Sequence, residues 1–209
     1  SAPLPCPGGT HTNATMITLG LPMTSVEECV ICPEGTFCSV GSAAPTPCAP
    51  GTFNPHTNAT TCSKCAAGEY QDAEEATSCK ACRRGYYCEA GASAPLPCPG
   101  GTHTNATIMA LGLAMTSAEQ CVICAAGEFC PVGSAAPTPC APGTFNPYTN
   151  ATTCSKCAAG EYQDAEGAIS CKPCPDGYYC EAGAAAPLPC PGGTHTNTTI
   201  MALGLAMTS

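Results

Sequence analysis

The chain has no tryptophan, only four phenylalanines and seven tyrosines, and just six lysines and arginines among its 209 residues. So few large apolar side chains cannot fill one globular core for a chain of this length. Fifteen acids against six bases give a net charge of −9, which excludes the basic footprint of a nucleic-acid binder. No apolar run is long enough to span a bilayer; the greasiest stretches run about ten residues and are broken by Gly and Thr. The sequence opens with neither an initiator Met nor a secretory leader, so the expectation is an internal portion of a longer secreted chain.

What the chain has instead is 21 cysteines, 22 glycines and 22 prolines. Cysteine at this density marks a disulfide scaffold and an oxidising compartment, so the expected location is secreted or extracellular, on a cell surface or appendage. Five N-x-T sequons, at Asn13, Asn58, Asn105, Asn150 and Asn197, agree with a secretory route and mark candidate N-glycans. Thr46 and Thr138, each between two prolines, are candidates for O-linked sugars.

The sequence repeats with a period of 92. Residues 1–92 and 93–184 differ at 16 positions, and 185–209 begin a third copy. Each full period divides into a half with one long loop (1–47, 93–139) and a half with three hoops (48–92, 140–184). The odd cysteine count follows, because each full period holds ten and Cys190 opens the third.

A finer rule lies inside the period. Cys6, Cys32, Cys48, Cys65, Cys82, Cys98, Cys124, Cys140, Cys157, Cys174 and Cys190 each open a C-x-x-G-x-Φ motif, where Φ is Phe, Tyr or His. The other ten cysteines alternate strictly with these. That alternation suggests nearest-neighbour pairing: Cys6–Cys29, Cys32–Cys38, Cys48–Cys62, Cys65–Cys79, Cys82–Cys88, Cys98–Cys121, Cys124–Cys130, Cys140–Cys154, Cys157–Cys171 and Cys174–Cys180, with Cys190 left for a partner outside the sequence. Interlaced pairing across the C-x-x-C steps, such as Cys62–Cys79 with Cys65–Cys82, is the competing connectivity, and spacing alone does not exclude it. A disulfide closing a loop of about 15 residues removes roughly 3 kcal/mol of unfolded-state entropy, so ten closures can stand in for a core.

The fold class expected is therefore small disulfide-rich repeat modules with short irregular β-hairpins, almost no helix, and an elongated rod-like tandem array in which each hoop touches only its neighbours. Gly in the motif supplies a turn. Four nine-residue spacers ending in P-x-P (39–47, 89–97, 131–139, 181–189) favour stiff polyproline II.

Runs such as Cys48-Ala-Pro-Gly-Thr-Phe, Cys62-Ser-Lys-Cys65-Ala-Ala-Gly-Glu-Tyr and Cys79-Lys-Ala-Cys82-Arg-Arg-Gly-Tyr-Tyr-Cys88 resemble ephrin-receptor-type cysteine-rich repeats, related in style to the one-disulfide modules of tumour-necrosis-factor receptors. The resemblance implies an extracellular spacer or interaction stalk, and no enzyme. Tandem arrays this regular also resemble large surface proteins of protists and algae, including those of mastigonemes, the hair-like filaments on flagella.

Catalytic and metal readings are weaker. C-x2-C-x13-C-x2-C at Cys62/Cys65/Cys79/Cys82 and at Cys154/Cys157/Cys171/Cys174 has zinc-ribbon spacing, but it leaves the C-x5-C pairs unexplained. His11, His103 and His195 occupy the Φ slot, and His56 becomes Tyr148 one period later, so histidine reads as packing. Asp72 with Glu74, and Asp164 with Glu166, sit in acidic loops that do not match an EF-hand. The expectation is no catalytic residue, no cofactor and no metal.

One feature is out of place. The longest hoop of each period carries an apolar stretch that holds all six methionines. The stretches are Met16, Ile17, Leu19, Leu21 and Met23; Ile108, Met109, Leu111, Leu113 and Met115; and Ile200, Met201, Leu203, Leu205 and Met207. Met-rich apolar surface is adaptable and, when exposed, marks a contact. The expected role is self-assembly of a structural, glycosylated extracellular rod into a filament, with copies of itself as partner. The alternative is the stalk or ligand-binding ectodomain of a cell-surface receptor or adhesin.

Overall fold

The structure is a computed structural model, and it describes residues 4–192. It consists of small disulfide-rich modules in tandem, each running from one opening cysteine to the next. Ten two-stranded sheets account for the strands among the described residues. Among the described residues helix is limited to two five-residue segments, α1 (Ala14–Thr18) and α2 (Ala106–Ala110), and two short 3-10 turns at Val26–Glu28 and Ala118–Gln120.

The hairpin of each module follows from the motif. The Φ residue and the one before it pair with the two residues that precede the next opening cysteine. Thus Thr52–Phe53 pairs antiparallel with Ser63–Lys64, Glu69–Tyr70 with Lys80–Ala81, and Thr36–Phe37 with Thr46–Pro47. The two residues inside a C-x-x-C step are therefore a strand. The P-x-P ends of the spacers are strands as well. This corrects the expectation of free, stiff spacers: the spacer at 39–47 turns at Gly41 (φ 78°) and its end returns to pair with Phe37.

The cysteines are joined as Cys6–Cys29, Cys32–Cys38, Cys48–Cys62, Cys65–Cys79, Cys82–Cys88, Cys98–Cys121, Cys124–Cys130, Cys140–Cys154, Cys157–Cys171 and Cys174–Cys180. These are the nearest-neighbour pairs, not the interlaced ones. Cys190 is a free, half-buried thiol. The cysteines with zinc-ribbon spacing go into separate cystines, so that reading loses its ligands.

The described residues divide into two compact units: residues up to Leu96 with Ala106–Ser117, and Pro97–Asn105 with Ala118 onward. Within each, successive modules are tied by the same backbone bonds. The Gly of the motif donates its N–H to the residue after Φ in the next module, as in Gly51 to Gln71 (2.7 Å) and Gly143 to Gln163 (2.7 Å). The next opening cysteine donates back to that Gly, as in Cys65 to Gly51 (3.0 Å). The residue after Φ then donates into the next module, as in Asn54 to Ala76 (2.9 Å) and Gln163 to Ala184 (3.0 Å). Finally, at eight steps the carbonyl of the opening cysteine accepts from a residue with left-handed backbone one module on. Gly41, Asn58, Glu75 and Gly91 serve Cys6, Cys32, Cys48 and Cys65 in this way.

The motif glycine is required for two reasons. At Gly51 φ is +82°, and a Cβ there would lie 2.2 Å from the carbonyl oxygen of Gly91. Gly91 belongs to the module two steps on, not to the next one. Each module therefore touches its second neighbour too, which corrects the expectation of nearest-neighbour contact alone.

Among the described residues the buried apolar ones are thirteen cysteines and Met115. All eight aromatics in the Φ position are half-buried. The slot after Φ is the better-covered one. It holds a closing cysteine (Cys38, Cys88, Cys130, Cys180) or a buried amide (Asn54, Gln71, Asn146, Gln163). Burying an amide requires partners, and Asn54 Nδ2 donates to the carbonyls of Thr36 (2.6 Å) and His56 (2.9 Å) while its Oδ1 accepts from the His56 amide. Gln71 likewise donates to Ser78 O and accepts from the Ala73 amide.

Candidate interaction surface on the long hoops

The apolar stretch folds the same way in both described copies. Asn13 begins α1 with its side chain accepting from the amides of Thr15 (3.1 Å) and Met16 (3.4 Å), an N-cap that the T-N-x-T sequence favours. A five-residue helix is too short to be stable alone, and here the hoop's cystine and the cap hold it. Gly20 (φ 66°) and Gly112 (φ 72°) end the two helices in the left-handed conformation. In the first copy Glu28 then closes the following turn: its carboxylate accepts from the amides of Ser25 (3.0 Å) and Thr24. Those two main-chain donors, Ser25 first, hold the Glu28 carboxyl below its ordinary pKa.

The side chains divide into two sets. Leu19 and Leu21 are 67% and 51% exposed, and their counterparts Leu111 and Leu113 are 70% and 58% exposed. These leucines face solvent in both copies. The other set depends on the copy. Met115 is 1% exposed, whereas Met23 is half-buried. Ile17 is 61% exposed, whereas its counterpart Met109 is half-buried.

The cover over Met115 comes from the three-hoop half of the preceding period, in the same compact unit. Cys88 donates its amide to the Met115 carbonyl (3.1 Å). A Cβ on Gly68 would lie 3.2 Å from Ala114 Cβ. The Met115 carbonyl occupies the position that Ser42, Ala59, Ala76 and Ala92 fill at the other steps of that unit. Met115 is thus a core residue of the joint between periods and not part of an exposed assembly face, which corrects the sequence expectation for this residue. Met16, Ile108 and Met109 are half-buried and belong only partly to the exposed set. The third copy, Ile200, Met201, Leu203, Leu205 and Met207, lies outside the described residues, as do Asn197 and His195.

The candidate glycan sites fall into two structural types. Asn13 and Asn105 are half-buried beside the helices. Asn58 and Asn150 are exposed, each with φ 61°, and each donates its amide to an opening cysteine, Cys32 and Cys124. Asn tolerates this left-handed conformation better than other non-glycine residues, so these two positions have a backbone role besides any sugar.

The remaining candidates have local partners. His11 and His103 each donate Nδ1–H to the carbonyl of the next residue (2.9 Å). Asp72 pairs with Lys80 and Asp164 with Lys172, and each lysine also lies over a tyrosine ring, 5.9 Å from Tyr70 and 5.7 Å from Tyr162. The ammonium hydrogen bond, more than any other contact, holds each aspartate carboxyl below its ordinary pKa, and the aspartate raises its lysine. Among the described residues no group of three or more His, Cys, Asp or Glu is placed to hold a metal ion.

Sequence reasoning missed the buried slot after Φ. The signal was present: every module has Thr, Cys, Asn or Gln there. It also missed the left-handed position, where Gly alternates with Asn58, Glu75 and Asn150.

Residues 143–186 match the family described as tyrosine-protein kinase ephrin type A/B receptor-like. The chain carries cysteine-rich, receptor-like repeats. The matched stretch has a counterpart one period earlier, at 51–94, that differs from it at seven of 44 positions. No curated protein matches the chain. The cystines and the receptor-type match point to an extracellular setting. No helix among the described residues is long and apolar enough to cross a membrane.

Proposed function

We propose that the chain is a structural, glycosylated extracellular rod that assembles with copies of itself into a filament, with no enzymatic role. The observation that carries this reading is the recurrence of exposed leucines. Leu19 and Leu21, then Leu111 and Leu113, stand out from the same helix-turn at an interval of 92 residues. Adding a preceding period covers Met115 but leaves the leucines bare. Apolar surface that stays exposed at a fixed spacing suits a lateral contact repeated along the length of a partner strand. The ladder of backbone bonds supports the same reading, because it recurs from module to module with the same kinds of donor and acceptor.

Electron micrographs of negatively stained native material test this. Fibres are expected, and Leu111→Asp with Leu113→Asp should disperse them while leaving the ten cystines intact on non-reducing peptide maps. Dispersed single chains in the native material would overturn the filament.

The receptor-type match over 143–186 supports a second reading, the stalk or ligand-binding ectodomain of a cell-surface receptor or adhesin. A stalk of that kind stays monomeric at every concentration, and the leucine substitutions leave its state unchanged.

A further inference from the structure

Residues 140–154 repeat 48–62 with a single change, Tyr148 for His56. Each segment carries a sequon, Asn150-Ala-Thr152 or Asn58-Ala-Thr60, two residues past the changed ring. Both sequons are seated on the module two steps back. A Cβ on Gly100 would lie 2.8 Å from Thr152 Cγ2, and one on Gly101 would lie 2.2 Å from Asn150 Oδ1. Gly8 meets Thr60 at 2.8 Å and Gly9 meets Asn58 at 2.3 Å in the same way. Gly-Gly occurs in the sequence only at the start of the long hoops, and both described copies receive a sequon. The backbone beside the second sequon is also fixed. The Asn150 amide donates to the Cys124 carbonyl (2.9 Å), and the Ala151 carbonyl accepts from Cys130 (2.9 Å). Asn146 clamps residue 148: its Nδ2 donates to the Tyr148 carbonyl (2.8 Å) and its Oδ1 accepts from the Tyr148 amide (3.1 Å).

The Tyr148 ring is 75% exposed, and no other aromatic among the described residues exceeds the 41% of Tyr178. One bare ring on a surface needs no explanation by itself. What sets this one apart is its place, on the bend at 148–150 that ends in a seated sequon. With Oδ1 turned onto Gly101, Nδ2 is the outward end of the exposed Asn150 side chain. We propose that Asn150 carries an N-glycan whose first sugar lies on the Tyr148 ring, so that this glycan is an ordered part of the module, and that the glycan of Asn58, beside His56, is not held in this way. In the transfer Nδ2 bonds to the anomeric carbon of a polyprenyl-diphosphate oligosaccharide, loses a proton and expels the polyprenyl diphosphate. Oδ1 takes no part, so its seat on Gly101 survives. A pyranose presents C–H groups on one face, and a tyrosine ring meets such a face with dispersion contact and a negative π cloud. The imidazole of His56 is smaller and more strongly hydrated, so the same bend offers a poorer platform there. The inference rests on the glycosylated reading above and adds which glycan is ordered and what orders it.

Peptide mapping by mass spectrometry reads the occupancy of Asn150 first. Tetranitromethane then nitrates accessible tyrosines, and the same maps give the rate at Tyr148 against that at Tyr162. The native chain is compared with its glycans intact, trimmed by an endoglycosidase to the first N-acetylglucosamine, and removed by an amidase. Nitration of Tyr148 should be several-fold slower in the intact and trimmed forms than in the bare one. Hydrogen exchange at the Asn150 amide should slow in the same two forms, with little change at the Asn58 amide. The amidase leaves Asp at both positions, so Asn58 controls for the new charge. Tyr148→His should abolish the difference at Asn150, and His56→Tyr should create it at Asn58. Tyr148 nitrated equally in all forms, or protection lost on trimming to one sugar, would overturn the stacking and leave the glycoprotein standing. An unoccupied Asn150 would sink the stacking, and with Asn58 bare as well it would take the glycosylated reading with it.

Discussion

The hoop at Cys6–Cys29 and the hoop at Cys98–Cys121 share a cystine span, a five-residue helix, a left-handed glycine and most of their side chains. Only the second buries its last methionine. What differs is the neighbour seen among the described residues: a three-hoop half lies against the second hoop, at Cys88 and Gly68. The physical unit is thus not the sequence period. It runs from a three-hoop half into the hoop of the following period, and the boundary between compact units falls inside that hoop, with 106–117 going to the unit before it. The same side chain is core in one place and half-buried in the other because of what packs against it.

That contrast can be broken most forcefully at the methionines. Met115→Asp places a carboxylate where nothing apolar but cystine is buried, and unfolding stability at neutral pH should fall by about 3 kcal/mol or more. Met23→Asp, at a half-buried position, should cost clearly less than Met115→Asp. Denaturant unfolding with the disulfides intact measures both. Hydrogen exchange adds the local reading: the Cys88 amide should lose protection in Met115→Asp alone.

Glycine substitutions sharpen the comparison at intermediate size. Gly68→Ala forces a left-handed alanine (φ +90°) and crowds Ala114 of the docked hoop at 3.2 Å. Gly20→Ala meets nothing within 4 Å and carries only the conformational strain, about 1–2 kcal/mol. Gly68→Ala should therefore have the lower denaturation midpoint of the two, and removing the Ala114 side chain with Ala114→Gly should recover part of the difference. Equal midpoints would mean that the docked hoop does not bear on Gly68.

The smallest effect is expected at the ion pairs, which lie outside either hoop and should behave alike in both periods. Asp72 and Asp164 have depressed folded-state pKa values. Their contribution is present above the ordinary carboxylate range and is lost as pH falls through the lowered values. Lys80 and Lys172 are raised, so their share is present below the ordinary lysine range and is lost as pH rises through the raised values. All four groups are open to solvent, so Asp72→Asn and Asp164→Asn should each flatten the acid limb of the stability profile slightly and equally. Unequal changes would show that the hoop's docking reaches the acidic loops.

Much of the fold was legible because it is local. The C-x-x-G-x-Φ rule places a cystine, a left-handed turn and a half-buried ring within six residues, and strict alternation of opening and closing cysteines favoured nearest-neighbour pairs. The absence of Trp and the paucity of Phe and Tyr argued that cystines replace a core, and among the described residues thirteen of the fourteen buried apolar ones are cysteines. The spacers were misread because P-x-P tolerates both polyproline II and a short edge strand, and only the partner at Thr36–Phe37 decides between them. The buried amides Asn54 and Gln71 were missed because a lone polar residue in a loop gives no sign of the carbonyls waiting for it.

The sequence by itself determined the repeat, the module and the chemistry of the staples, since each is written within a few residues of a cysteine. Tertiary structure decided the fate of the greasy hoops. Leu111 and Leu113 follow the same rule of hydrophobicity as Met115, and no pattern in the stretch separates them. The division comes from a surface some thirty residues upstream, at Gly68 and Cys88, which covers one side of a short helix-turn and leaves the other in water.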